Sequence, residues 1–182
     1  MTVTMLENGY IFVPRADWGA KYRAGTVPMK PLRSRVFIHH TVTPATDDPC
    51  GDMRFVERVL NGRKPNLTPG YSFTVHPTGA ILEGAGKMVG AHTAGHNSEG
   101  YAFSFIGNMD NEHATMPALV NVARSINLLR LSGQLVPDLA AVEILPHRAM
   151  KPTGCPGSNM VNANINGKSA LDWIRWFAEQ GA

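Results

Sequence analysis

Cysteine is scarce in this chain. Its 182 residues include two, Cys50 and Cys155, which allow one disulfide at most. Such pairing is rare in cytosolic proteins, so the stronger reading of Cys50, in the turn-like stretch TDDPCGD, is a free thiol with no role. Long apolar runs are also missing. None approaches the roughly 18 residues of a membrane-spanning helix, and membrane insertion is not expected. The first twenty residues, MTVTMLENGYIFVPRADWGA, lack the basic start and apolar stretch of a secretory leader. The chain is therefore expected to be made in the cytoplasm, with something else releasing it if it acts outside. Lys and Arg are scattered, without a basic run or interleaved aromatics, which leaves nucleic-acid binding unsupported. The net charge of +3 gives only a weak lean toward anionic partners. Repeats, low-complexity tracts and linkers are absent too, so residues 1–182 read as one monomeric domain with a sizeable core.

What is present alternates between strand and helix patterns. Residues 1–14 read as an irregular entry with one short apolar stretch, Tyr10 to Val13. Residues 35–41 are β-branched and apolar, a buried strand. Over 52–62, Phe55 and Val59, with Val56 and Leu60, fall on one helical face, and Gly62 reads as the stop. YSFTVH (71–76) and AILEG (80–84) flank Pro77-Thr78-Gly79 and read as a β-hairpin. YAFSFIGN (101–108) is a further strand, and AVEIL (141–145) another, delivering His147 at its end. Thr115 is placed to cap a helix over 116–132, with Pro117 in the first turn and Gly133 after the last. Ser169 and Asp172 form a capping-box pattern for a helix over 170–180, with Leu171, Ile174 and Phe177 facing inward. Strands mixed with helices, and a hairpin among them, predict an α/β domain: a central mixed sheet flanked by helices.

Two segments carry chemistry. FIHHT (37–41) offers His39 from a strand, and PHRAMKPTGCPG offers His147 and Cys155, eight positions apart. Pro152, Gly154 and Pro156 require the second pair to come from a loop that folds back. Two imidazoles and a thiol are the donors of a catalytic zinc site whose fourth position stays open. Zinc in such a site polarises a carbonyl and acidifies a water, the help an unreactive amide needs. Each residue also has a plainer reading. His39 in an apolar strand, taken alone, reads as a buried, hydrogen-bonded histidine before it reads as a ligand, and the matching loop reverses that order. Its neighbour His40 points to the other strand face and reads as structural. Trp18 reads as a core anchor, Trp173 and Trp176 as helix packing, and His76 and His113 as solvated surface.

With these residues on the page, the chain resembles the zinc amidases that cleave N-acetylmuramoyl-L-alanine bonds, a group including phage endolysins and animal peptidoglycan recognition proteins. The resemblance runs in family order through RADWGA (15–20), FIHHT, PGYSF (69–73), GAHTAGHNS (90–98), FSFIGN (103–108) and HRAMKPTGCPG (147–157). It implies one Zn2+ ion held by His39, His147 and Cys155, in an open groove at the sheet edge. It implies catalytic roles for Tyr71 and Thr153, whose hydroxyls could serve a developing oxyanion. Tyr71 could instead simply pack its ring, and Thr153 could simply shape a turn. His92 and Asn97 look like groove residues that hydrogen-bond glycan or peptide, with a structural loop role as the alternative. Ser104 stands where the intracellular recycling branch carries a catalytic glutamate, which favours the tyrosine-type branch. The implied substrate is bacterial peptidoglycan, and the implied setting is host-wall lysis by a phage endolysin. The rival is a non-catalytic peptidoglycan-binding domain with a structural zinc.

Overall fold

The computed structural model describes residues 4–5, 9–61 and 68–182. In chain order these form β1 (Thr4–Met5), β2 (Ile11–Val13), α1 (Arg15–Trp18), β3 (Arg35–His40), α2 (Pro49–Asn61), β4 (Phe73–Val75) and β5 (Ile81–Glu83). There follow β6 (Gly100–Phe105), α3 (Met116–Leu131), β7 (Glu143–Pro146), α4 (Ser158–Val161) and α5 (Ala170–Glu179). The strands make one sheet in the order β1-β2-β5-β4-β6-β3-β7. Strand β3 lies parallel to both β6 and β7, whereas β4 and β5 are antiparallel, so the sheet is mixed as the pattern predicted. No helix among the described residues is long and apolar enough to cross a membrane.

The alternation of side chains along each strand divides the core between two faces. One face, carrying Val36, Ile38, Tyr101, Phe103 and Phe105, packs against Leu119, Val122 and Ile126 of α3 and Ile174 of α5. Both helices begin on the caps read from sequence. The Thr115 hydroxyl accepts the Ala118 N–H, and Ser169 and Asp172 exchange bonds as a capping box. On the other face Trp18, wholly buried, packs with Val13, Cys50, Met53 and Leu82 and donates its indole N–H to the Glu83 carbonyl at 2.9 Å. The hairpin is present, with Phe73 opposite Glu83 and Gly79 at φ 92°, a left-handed turn that favours glycine.

Three expectations need correction. Within the entry read over 1–14, the described residues Ile11–Val13 are not irregular: Phe12 and Val13 pair in parallel with Ile81 and Leu82, which makes this stretch part of the sheet. Helix α2 presents Cys50, Met53 and Val56 inward, while Val59 is exposed and Phe55 half-buried. The reason is that its buried side also carries two acids serving as hydrogen-bond acceptors. Asp52 takes the Thr46 N–H and hydroxyl, and Glu57 takes the N–H groups of Lys21 and Tyr22. A pattern counted on apolar residues alone is rotated by them. Gly62, read as the stop, lies outside the described residues. His76 is not solvated surface but 1% exposed, its Nε2 shared between the Thr46 carbonyl (2.9 Å) and Asp52 (3.2 Å). Cys50 sits in the first turn of α2 as a buried free thiol, and Cys155 is free as well.

Candidate metal centre and groove

The register of the sheet brings the first two donors together. Ile38 of β3 pairs with Pro146, the last residue of β7, so the residues that follow them, His39 and His147, emerge at the same sheet edge. Their rings lie 4.4 Å apart. The loop after β7 then doubles back. The Arg148 N–H donates to the Cys155 carbonyl at 3.0 Å, and its guanidinium also donates to the Gly154 carbonyl. This closure carries the Cys155 Sγ to 3.5 Å from His39 Nδ1. One donor atom from each of His39, His147 and Cys155 lies within 4.8 Å of the others, the only such trio among the described residues.

Three observations fit this trio to a tetrahedral cation. Bond lengths of about 2.3 Å to sulfur and about 2.05 Å to nitrogen give a tetrahedral S···N edge of about 3.6 Å, and the observed 3.5 Å matches it. His147 Nε2 is buried without a hydrogen-bond partner, a costly state for a polar atom unless something binds it. The protonation states also suit. Burial, then the neighbouring His92, His147 and His40, hold the His39 imidazolium well below its ordinary range, so the ring is a neutral base. Burial, then Lys151, lowers His147 likewise. The Cys155 thiol is pushed up to about 11 by burial. A cation must displace one proton there to gain a thiolate.

A cavity of about 540 Å³ opens over the trio, lined among others by His40, Val42, Gly70, Tyr71, Asp110 and Thr153. The Tyr71 ring centroid is 5.2 Å from that of His39. Thr153 is exposed on the lining, and its hydroxyl oxygen accepts the Cys155 N–H at 3.3 Å, so the hydroxyl proton is left to donate elsewhere. His92 also lines the cavity, 8% exposed and with its pKa lowered to about 3 by burial, so it is neutral. Asn97 does not line it. Its Oδ1 accepts the N–H groups of His92 (2.9 Å) and Thr93 (2.8 Å), the structural loop role. Ser104 is wholly buried beside His39 in the β3–β6 register and brings no carboxylate. Among the described residues Asp110 is the one carboxylate on the lining. The Ser158 N–H at 2.7 Å holds its carboxyl below the usual range. His40 accepts the Met109 N–H on its Nδ1, the structural use expected of it.

Sequence reasoning missed Thr93, Arg148 and the Gly70–Gly90 pair. The Gly70 carbonyl accepts the Ala91 N–H at 2.8 Å, and a Cβ on Gly90 would collide with that carbonyl oxygen. Two glycines thus let the Tyr71 and His92 segments run side by side. The only signal for this in the sequence is a glycine opening each of the runs GYS and GAHT.

The N-acetylmuramoyl-L-alanine amidase family model matches residues 29–158. The N-acetylmuramoyl-L-alanine amidase of Sus scrofa is 37% identical over 159 residues, which is 82% of this chain and 26% of that protein. A Trichoplusia ni peptidoglycan recognition protein is 33% identical over 131 residues, 70% of each chain. The chain therefore spans about a quarter of the mammalian amidases it matches and most of the insect protein. Among solved structures, Drosophila PGRP-LB superposes with a TM-score of 0.72 at 29% identity, covering 80% of this chain and 87% of that one. Peptidoglycan recognition protein-LE, solved with tracheal cytotoxin, a monomeric diaminopimelic acid-type peptidoglycan, gives 0.70 at 27%, covering 80% and 87%. The matched stretch begins ahead of the strand that carries His39 and ends beyond Cys155, so all three candidate ligands fall inside it: the chain belongs to the N-acetylmuramoyl-L-alanine amidase family.

Proposed function

We propose that this protein hydrolyses the amide between the lactyl group of N-acetylmuramic acid and L-alanine in bacterial peptidoglycan, using one zinc ion held by His39, His147 and Cys155. The observation that carries the reading is the convergence of those three donor atoms within 4.8 Å on the floor of an open groove. A purely structural zinc would call for a fourth protein ligand, and none joins the trio among the described residues. When bound there, zinc supplies Lewis-acid polarisation of the scissile carbonyl and acidification of a water.

The chain's own residues do the rest. Tyr71 and Thr153 face the same cavity and donate hydrogen bonds to the oxygen that gains negative charge in the transition state, where one good donor is worth about 2.7–4 kcal/mol. Arg148 holds the Cys155 loop closed, and Asn97 holds the His92–Thr93 segment in place. Peptidoglycan as partner is supported by the solved relative bound to tracheal cytotoxin. Lysis of a host wall, the work of a phage endolysin, is the setting we assign.

The competing reading is peptidoglycan binding without catalysis, which the recognition-protein relatives keep in view. Purified cell walls incubated with the protein, with and without chelator, separate the two. New L-alanine amino termini that vanish on chelation and return with zinc support hydrolysis. Wall binding with no new amino termini replaces it with the receptor reading.

A further inference from the structure

We propose that Thr93 is a positioning residue that fixes the proton of His39 on Nε2 and so presents Nδ1 to the metal, with His92 completing the relay. The inference rests on the metal reading of the site. His39 directs Nδ1 at Cys155 Sγ (3.5 Å), and its Nε2 lies 3.3 Å from the Thr93 hydroxyl oxygen. That oxygen is in turn 3.0 Å from His92 Nδ1. All three side chains are buried, Thr93 completely.

Metal binding at Nδ1 gives this chain its direction. A nitrogen that binds a metal carries no hydrogen, so the His39 proton sits on Nε2 and is donated to Thr93. The hydroxyl has a single proton of its own, which is then free to go to His92 Nδ1. In the proposed relay His92 Nδ1 is the acceptor, and its ring carries its proton on Nε2. Each hydrogen bond then has one donor; were His92 Nδ1 to donate instead, the hydroxyl oxygen would accept both imidazole protons and its own proton would have no acceptor among the described residues, while the buried His92 Nε2 has no hydrogen-bond partner in either tautomer. The backbone beneath the relay is equally fixed. Asn97 Oδ1 accepts the N–H of both His92 and Thr93, locking the two side chains at their spacing. Metal-bound histidines gain basicity and orientation from such a partner on the far ring nitrogen. Here the partner is a neutral hydroxyl, backed by a second imidazole.

Zinc affinity, measured by competition with a chromophoric chelator, tests the proposal. Thr93→Val keeps the shape and removes the hydroxyl, and should weaken zinc binding roughly 10–100-fold. Thr93→Ser should restore most of it. In the zinc-loaded wild-type protein, 15N-edited NMR of the imidazoles should show the His39 and His92 protons on Nε2. Wild-type zinc affinity in Thr93→Val, or a His92 proton on Nδ1, overturns the relay while leaving the metal reading intact. A wild-type protein that takes up no zinc overturns both. Should Thr93→Val fail to fold, the tautomers of the wild-type protein decide alone.

Discussion

The Cys155 sulfur sits 3.5 Å from Nδ1 of His39, a residue 116 positions earlier in the chain. At that separation the two share one cation or face each other as neutral groups. Cys155→Ser should therefore abolish tight zinc binding and amide hydrolysis together, since a neutral hydroxyl is a poor zinc ligand. Metal analysis of the purified variant, beside a muropeptide digest read by mass spectrometry, checks both. Full activity in a zinc-free variant would remove the trio from the mechanism.

Tyr71→Phe divides binding from chemistry. The ring stays beside His39, so zinc content should be unchanged, while loss of the hydroxyl should lower kcat by about 10²–10³. An undiminished kcat would show the hydroxyl to be idle.

Gly90→Ala addresses the walls of the groove. The added methyl meets the backbone oxygen of Gly70, which cannot swing aside as a side chain could. We expect a loss on the order of 1–3 kcal/mol in stability, with weaker substrate binding as the Tyr71 segment is pushed away. Urea unfolding and KM measured together test this.

His76 and Asp52 are buried against each other behind the loop that follows β3. Replacing His76 with leucine leaves the Asp52 carboxylate one partner short, at an expected cost of roughly 1–3 kcal/mol. A surface histidine would cost almost nothing, so the shift in the urea midpoint separates the two placements.

Alkaline pH should unfold the protein early. Burial pushes the Tyr101 hydroxyl up to about 12, and burial raises Tyr10 too, despite its bond to Ser125. The folded protein keeps the Tyr101 proton that the unfolded chain sheds from about pH 10. Stability is therefore undiminished below pH 10 and falls as the pH rises from 10 toward 12, by about 1 kcal/mol per unit from this group. Tyr101→Phe should flatten that limb in urea melts between pH 8 and 11. It should also lower neutral stability slightly, because the hydroxyl donates to Gln134 at 2.6 Å.

Much of the architecture was legible because it is written locally. The Pro77–Gly79 turn, the Thr115 cap and the Ser169–Asp172 box each depend on residues within a few positions of one another, and each formed. The inward face of α2 was not legible, because Asp52 and Glu57 are buried by partners as distant as Lys21 and Thr68. His76 was misplaced for the same reason: a polar residue beside a turn looks exposed until a helix from elsewhere supplies Asp52.

By itself, then, the sequence determined the chemical kinds at the site: two imidazoles, a thiol and a tyrosine, on segments whose strand or loop character follows from their own composition. The tertiary structure decided how those groups meet. Parallel pairing of β3 with β7 sets His147 beside His39, the Arg148 clamp returns Cys155 to them, and Thr93 reaches His39 Nε2 from a separate loop. Donor type is a property of single residues. Donor geometry depends on contacts between residues far apart in the chain, which form only when the whole sheet closes and repays their loop entropy.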